Sequence, residues 1–255
     1  MTRIVAPLVF GVLLLAAWEI GVVIGEVPSY IMPRPSEIAS ALWANAGDLA
    51  AALAVTLQVT VAALALAAMS GALIAIGLSQ SQLAERVFFP YAIFLQVTPI
   101  VTIAPFVIIW VENIFIVLLI LAWMAAIFPV ISNTLLGLKS VDQNLKDLFR
   151  LYGATRWQTV RRLMIPSALP YFLGGLRIAG GLALIGTVVA EMVAGTSGTR
   201  SGLASRLVEA SYRLELAVAL ACFALLSAAG LGLYVVLDAV SRRLLRHWHE
   251  SAAAT

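Results

Sequence analysis

Six apolar runs, each about as long as a bilayer is thick, govern what this chain can fold into. A bilayer core of about 30 Å takes about 20 helical residues, and the segments 4–25, 53–78, 87–111, 114–138, 168–194 and 215–241 reach that length. The breaks between them are polar or turn-rich: EVPSYIMPRPSE, SQSQLAER, the short VEN, a basic stretch over 139–167, and GTSGTRSGLASRLVEASYR. The chain is 62% hydrophobic and only 11% charged over 255 residues, with a mean hydropathy of +1.01. A soluble domain carries about a quarter charged residues, so the fold class expected is an all-α membrane protein with about six transmembrane helices, organised as one domain over 1–255.

Composition also removes several function classes. The single cysteine, Cys222, lies in an apolar run and excludes a disulfide framework within the chain. Both histidines, His247 and His249, fall in the C-terminal tail, so no metal site built from His and Cys is expected. The N-terminus carries one arginine and then an apolar run that a signal peptide would also show. The run is long and no small-x-small cleavage pattern follows it, so it reads as a retained first span.

Lysine and arginine counts set the orientation. With the N-terminus inside, the inner segments hold Arg3, Arg86, Lys139, Lys146, Arg150, Arg156, Arg161, Arg162, Arg242, Arg243 and Arg246, eleven in all. The outer segments hold four: Arg34, Arg200, Arg206 and Arg213. The excess of positive charge marks the cytoplasmic side, which puts both termini and the stretch 139–167 in the cytoplasm.

That stretch has more structure than topology charges require. Ser140–Gln143 (SVDQ) fits a capping box with Ser140 as N-cap and Gln143 reaching back. Leu145, Leu148, Phe149 and Tyr152 then repeat at helical spacing, and Gly153 falls where a left-handed C-terminal residue is wanted. Thr155–Gln158 (TRWQ) offers a second capping box. Trp157, Val160 and Met164 line one side of the second helix, while Arg156, Arg161 and Arg162 stay polar. Pro166 stops that helix, and Pro170 falls in the first turns of the next span. Two short amphipathic helices around a hinge form a knob suited to a groove on a cytoplasmic partner. A DNA-reading helix-turn-helix has a similar outline, but here both ends are tied to membrane spans, and no nucleic-acid partner is expected.

The knob resembles the EAA loop of binding-protein-dependent ABC importer permeases. That loop reads Glu-Ala-Ala, three residues, Gly, then an aliphatic residue and a Pro at fixed spacing. Asp147, Leu148 and Phe149 hold the places of the triplet, keeping only its acidic character, while Gly153, Leu163 and Pro166 match the glycine, the aliphatic residue and the proline. Similarity to the nitrate/sulfonate/taurine-type permeases extends over WEIG…VPSYIMPRPSEI, LQVTPIVTIAPFVIIW and the segment from Leu169 through Glu215.

The resemblance implies the type I ABC importer permease fold in a bacterial inner membrane. It implies two permease subunits, expected as a homodimer in lipid, above a cytoplasmic ABC ATPase dimer, with an external solute-binding protein. Asp147, Leu148, Tyr152, Gly153, Ala154, Arg156, Trp157, Arg161, Leu163 and Pro166 would then couple the ATPase to the spans. No G-x-x-x-x-G-K-[ST] phosphate loop occurs, so ATP and Mg²⁺ are expected on the ATPase, with no cofactor and no catalytic residue in this chain.

The spans carry further signals. Ala63, Ala67, Gly71, Ala75 and Ser79, and likewise Gly175, Ala179, Ala183 and Thr187, form small-residue ridges that suit either sliding or static tight packing. Pro99, Pro105 and Pro129 interrupt apolar runs, and Gln96, Thr98 and Thr102 beside Pro99 point to a lining of the translocation path. Arg177 and Glu191 stand about 21 Å apart along one helix. Arg177 is expected to snorkel to the inner interface or pin the loop, and Glu191 to hold an outer gate or serve as a satisfied structural carboxylate. Glu19 and Asp238 read as interfacial. In the outer segment Leu203, Leu207, Ala210 and Leu214 make an apolar stripe, with a Glu209–Arg213 pair. It suits a helix on the membrane surface or a lid touching the binding protein.

The rival class is an ion-coupled secondary transporter or channel. Such carriers usually need several charges near mid-depth, which are nearly absent here, and a membrane enzyme fails for want of a catalytic cluster. The cargo expected is a small solute, nitrate/sulfonate/taurine-like or pyrimidine-type.

Overall fold

The computed structural model describes residues 2–195 and 201–246, all helix, turn and connecting coil, with no strand among them. Arg200, His247 and His249 lie outside the described residues, and Arg3 lies in a helix whose first side chains are likewise not described. Among the described residues, four continuous helical stretches are long and apolar enough to cross a membrane: 46–79, 114–139, 156–194 and 216–245. The apolar helix Val9–Ile24 is shorter.

The proline-bearing segment expected to form the third span is two helices, α4 (Gln82–Val97) and α5 (Ile100–Trp110), bent by 97° at Thr98–Pro99. The cause is local. The residue before a proline is driven from helical to extended backbone, and Thr98 sits at φ −70°, ψ 123°. Counted as one bent span, the pair makes a fifth crossing.

The helices group in two compact units, 1–56 with 195–228 and 57–194 with 229–255. The first holds α1 (Thr2–Ile24), α2 (Pro35–Ala44), the start of α3 (Ala46–Ser79), α10 (Leu203–Tyr212) and the start of α11 (Leu216–Leu245). Glu19 of α1 accepts bonds from the Ser36 amide at 3.1 Å and the Ser36 hydroxyl at 2.7 Å. It thus holds the amino end of α2, where a negative charge is favoured. The Leu203 amide donates to Thr56 Oγ1 at 2.8 Å, both residues being buried. Of the outer stripe, Leu203 and Ala210 are buried, but Leu214 lies beyond the helix end at φ +60° and is exposed. Glu209 does pair with Arg213, at 2.7 Å, and also with Arg206.

In the second unit α6 (Ile114–Lys139) is the buried post. Its Leu121, Ala126, Val130, Ile131 and Leu138 face α3, α5 and α9 (Ile165–Ala194). The two small-residue ridges point inward, with Ala63, Ala67, Ala75, Ala179 and Ala183 all fully buried. Close approach makes glycine necessary at Gly175, where a Cβ would stand 2.7 Å from the Pro129 carbonyl oxygen. Thr60 donates to Thr187 between α3 and α9 at 3.1 Å.

Arg177 has a partner on another helix. Its guanidinium pairs with Asp238 of α11 at 2.8 Å and lies 5.9 Å from the centre of the Tyr234 ring. Asp238 also holds Arg242, so this carboxylate joins two cations.

Candidate functional site

The stretch between α6 and α9 folds as two short helices, α7 (Gln143–Leu151) and α8 (Arg156–Thr159), followed by a π-helical turn at Val160–Met164. The first cap differs from the one expected. Ser140 ends α6, its hydroxyl bonded to the Gly137 carbonyl at 2.9 Å, and Asp142 caps α7 by accepting from the Asn144 amide at 2.8 Å. Gln143 instead reaches forward to Asp147 at 3.2 Å. Asp has the stronger hold because its carboxylate is charged and sits one residue from the turn it caps.

The hinge is a closed Schellman turn. Gly153 takes φ +70°, its amide bonds to the Arg150 carbonyl at 3.0 Å, and the Ala154 amide bonds to the Phe149 carbonyl at 2.9 Å. Immediately after it the Thr155–Gln158 capping box is complete, with the Gln158 amide on Thr155 Oγ1 at 3.3 Å and the Thr155 amide on Gln158 Oε1 at 2.8 Å. Asp142 and the Schellman turn thus cap the two ends of α7, and the Thr155 box caps the start of α8, all from within the loop itself.

Pro166 does not stop the second helix. The Ile165 amide reaches back five residues to the Val160 carbonyl, opening the turn ahead of the proline, and Ile165 stays helical at φ −61°, ψ −50°. The wider turn absorbs the residue whose ring and missing N–H would otherwise break the ladder. The helix then runs on into α9.

The expected site residues separate into a surface and an anchor. Asp147, Leu148, Tyr152, Gly153, Arg156, Trp157 and Arg161 are exposed, and Ala154 is half-buried. Leu163 is buried and Pro166 half-buried, together with Val160, so these root the knob in the helices. Along the side that carries Trp157 and Val160, burial rises towards the helices: Trp157 is 64% exposed and Val160 3%. Asp147 is engaged within α7 by Gln143 and Arg150. Leu151 is 85% exposed beside Tyr152 at 84%, and sequence reasoning missed it. Its spacing of three from Leu148 was the available signal. Leu148, Phe149, Tyr152, Ala154, Gln158 and Arg162 line a groove in the same surface.

The other candidates lie on the bent segment. Gln96, Pro99 and Thr102 are exposed and Thr98 is half-buried. The Thr98 hydroxyl donates to the Phe94 carbonyl and that of Thr102 to the Pro99 carbonyl, both at 2.7 Å. That leaves the Gln96 amide as the least committed polar group there. Glu191 is 1% exposed and is not without a partner.

Residues 67–249 match the model of the family described as binding-protein-dependent transport system inner membrane component. The chain belongs to that family. The permease is 32% identical to the formylaminopyrimidine transport permease protein ThiX of Halalkalibacterium halodurans over 75% of its own length and 77% of the relative's. It is 29% identical to the riboflavin transport system permease protein RibX of Chloroflexus aurantiacus, covering 94% and 88% of the two chains. It is 28% identical to a Bacillus subtilis protein named for aliphatic sulfonates transport, SsuC, covering 72% and 68%. The permease is therefore the membrane component of a binding-protein-dependent ABC importer for a small solute.

Proposed function

We propose that the knob over 139–167 is where a separate cytoplasmic ATPase docks and drives the permease, as the EAA-like pattern of Asp147, Gly153, Leu163 and Pro166 implies. The observation that carries this reading is the exposure of Leu151, Tyr152 and Trp157 on a loop that supplies its own helix caps. Aromatic side chains and arginines are the residues protein interfaces favour, and Arg156 and Arg161 stand beside them. ATP and Mg²⁺ belong to the ATPase.

The working unit in this reading is two permease copies in a bacterial inner membrane, with both termini cytoplasmic and a solute-binding protein outside. The path runs past Gln96, Thr98, Pro99 and Thr102, with Glu191 towards its outer end. The relatives named for a formylaminopyrimidine, riboflavin and aliphatic sulfonates match to similar degrees. The reading accordingly leaves cargo recognition to the binding protein, among pyrimidine-type and nitrate-, sulfonate- or taurine-like solutes.

The decisive experiment reconstitutes the permease with its ATPase and binding protein in vesicles. Trp157→Ala should leave thermal unfolding within about 0.5 kcal/mol of the parent while abolishing ATP-dependent uptake and the binding of the ATPase. Full uptake by this variant, or uptake by the permease alone without ATP, overturns the reading.

A further inference from the structure

The turn that ends α10 is built like the hinge of the knob but has a different residue at its tightest point. The Leu214 amide bonds to the Ser211 carbonyl at 3.2 Å and the Glu215 amide to the Ala210 carbonyl at 2.9 Å. This is the Schellman pattern that Gly153 completes after α7. Here the left-handed position, at φ +60°, is held by a leucine. Glycine takes that conformation without steric cost, and leucine does not. Glu26 is the other non-glycine residue with positive φ among the described residues, which leaves Leu214 as the only apolar side chain so placed.

Packing within the chain does not offset that strain. Leu214 is 66% exposed, and Tyr212, two residues before it, is 86% exposed. A strained residue held without internal packing points to a contact made outside the chain.

The surroundings of the turn are charged. Asn45, Asp48, Arg206, Glu209, Arg213 and Glu215 line a cleft of about 200 Å³ beside it. Glu209 is taken by Arg206 and Arg213. Asp48 and Glu215 are exposed and have no ion pair among the described residues. The rim thus offers an apolar pair next to two uncommitted carboxylates.

These features select among partners. Leu203, Ala204 and Ala210 of α10 are buried, so the helix turns its apolar face into the protein, whereas a helix lying on a bilayer needs that face for lipid. Three carboxylates against two arginines leave the cleft net acidic, which anionic headgroups repel. One crossing, 156–194, separates this turn from the knob in the chain, so the turn faces the side opposite an ATPase docked there. The family is a binding-protein-dependent one, and a soluble protein on that side is the partner such a rim fits.

We propose that Tyr212 and Leu214 enter an apolar socket on the solute-binding protein, while Asp48 and Glu215 pair with lysine or arginine side chains around that socket. The proposal rests on the reading that a solute-binding protein works from outside, and is independent of what docks at the knob. The strain at Leu214 is then offset only in the complex.

The test measures binding of the importer's purified solute-binding protein to the permease, with its ATPase added, in lipid nanodiscs and in detergent. Leu214→Gly should unfold at the parent's temperature or higher, because it removes the strain, and should bind the solute-binding protein roughly 10-fold more weakly or worse. Tyr212→Ala should show a similar loss. Asp48→Asn combined with Glu215→Gln should weaken binding roughly 2–5-fold at low salt and flatten its salt dependence. Retention of the ATPase, read in the same particles, should be unaltered in every variant, which separates this outer contact from the coupling reading. Parental affinity in both Leu214→Gly and Tyr212→Ala overturns the proposal alone. A lower unfolding midpoint for Leu214→Gly also overturns it, since the leucine would then serve the fold. So does a loss confined to nanodiscs, which assigns the two side chains to the bilayer. A parent that does not bind the solute-binding protein overturns the proposal together with the reading it rests on.

Discussion

Gly175 lies in the seam between α6 and α9, and Gly153 lies in the loop those two helices carry. At Gly175 an added Cβ would meet the Pro129 carbonyl oxygen at 2.7 Å and Asn133 Cβ at 2.8 Å. At Gly153 it would meet nothing within 4 Å, and the constraint is the backbone itself, at φ +70°. One glycine is required by space and the other by conformation. The seam is thus a rigid mount whose tolerance is set by volume, whereas the loop is a free-standing knob whose tolerance is set by its hinge angle. A change in the first should unfold the protein, and a change in the second should disconnect it from its partner.

The largest effect should come from Gly175→Val, which overpacks the seam against backbone and should cost roughly 3 kcal/mol or more. Thermal unfolding of the detergent-purified protein measures it, and an unchanged midpoint would show that α9 can move away from α6. Asp238→Ala tests the same mount from its other side by leaving Arg177 and Arg242 without their carboxylate. Removing a charged hydrogen-bond partner costs about 1.5–3 kcal/mol, and the lower figure applies because the Arg177 side chain is 34% exposed.

In the loop, Gly153→Val places a β-branched residue in the left-handed region at a cost of roughly 1–2 kcal/mol. Its consequence for function should exceed that figure, with uptake uncoupled from ATP hydrolysis in the reconstituted importer. Gly153→Asn should recover part of the uptake, because asparagine tolerates this conformation better. Normal coupling in the valine variant would mean that the hinge angle is not what the partner reads. Thr155→Ala should have the smallest effect, about 1 kcal/mol for the lost cap. Hydrogen exchange confined to residues 155–164 would distinguish that local fraying from a loss of the mount.

Much of the loop was legible because its signals are local. A Thr-x-x-Gln box and a glycine at a helix end are satisfied within a few residues, and both form as the chain pattern predicts. The competition between Ser140 and Asp142 was not legible, since two good capping residues lay two apart and the end of α6 claimed the serine. Proline was the least readable residue. Thr98–Pro99 and Ile165–Pro166 are the same kind of dipeptide in sequence, yet one bends the chain by 97° and the other lies in a continuous helix. Pro90, Pro105, Pro129 and Pro170 also lie inside helices, so a proline by itself does not decide; ahead of Pro166 the ladder opens into a π-helical turn at Val160–Met164, whereas Thr98 turns extended. The pairing of Arg177 with Asp238 was equally hidden, because a contact between α9 and α11 has no local spacing rule.

By itself, the sequence determined that this protein is helical, apolar enough for a membrane, and interrupted by a self-capped basic knob. Those properties follow from residue counts, from helical periodicity and from end groups that find partners nearby. Only the tertiary structure decided which small residues pack and which loop side chains remain exposed. Each of these depends on how closely α3, α6 and α9 approach, and side-chain volumes meeting across helices far apart in sequence set that distance.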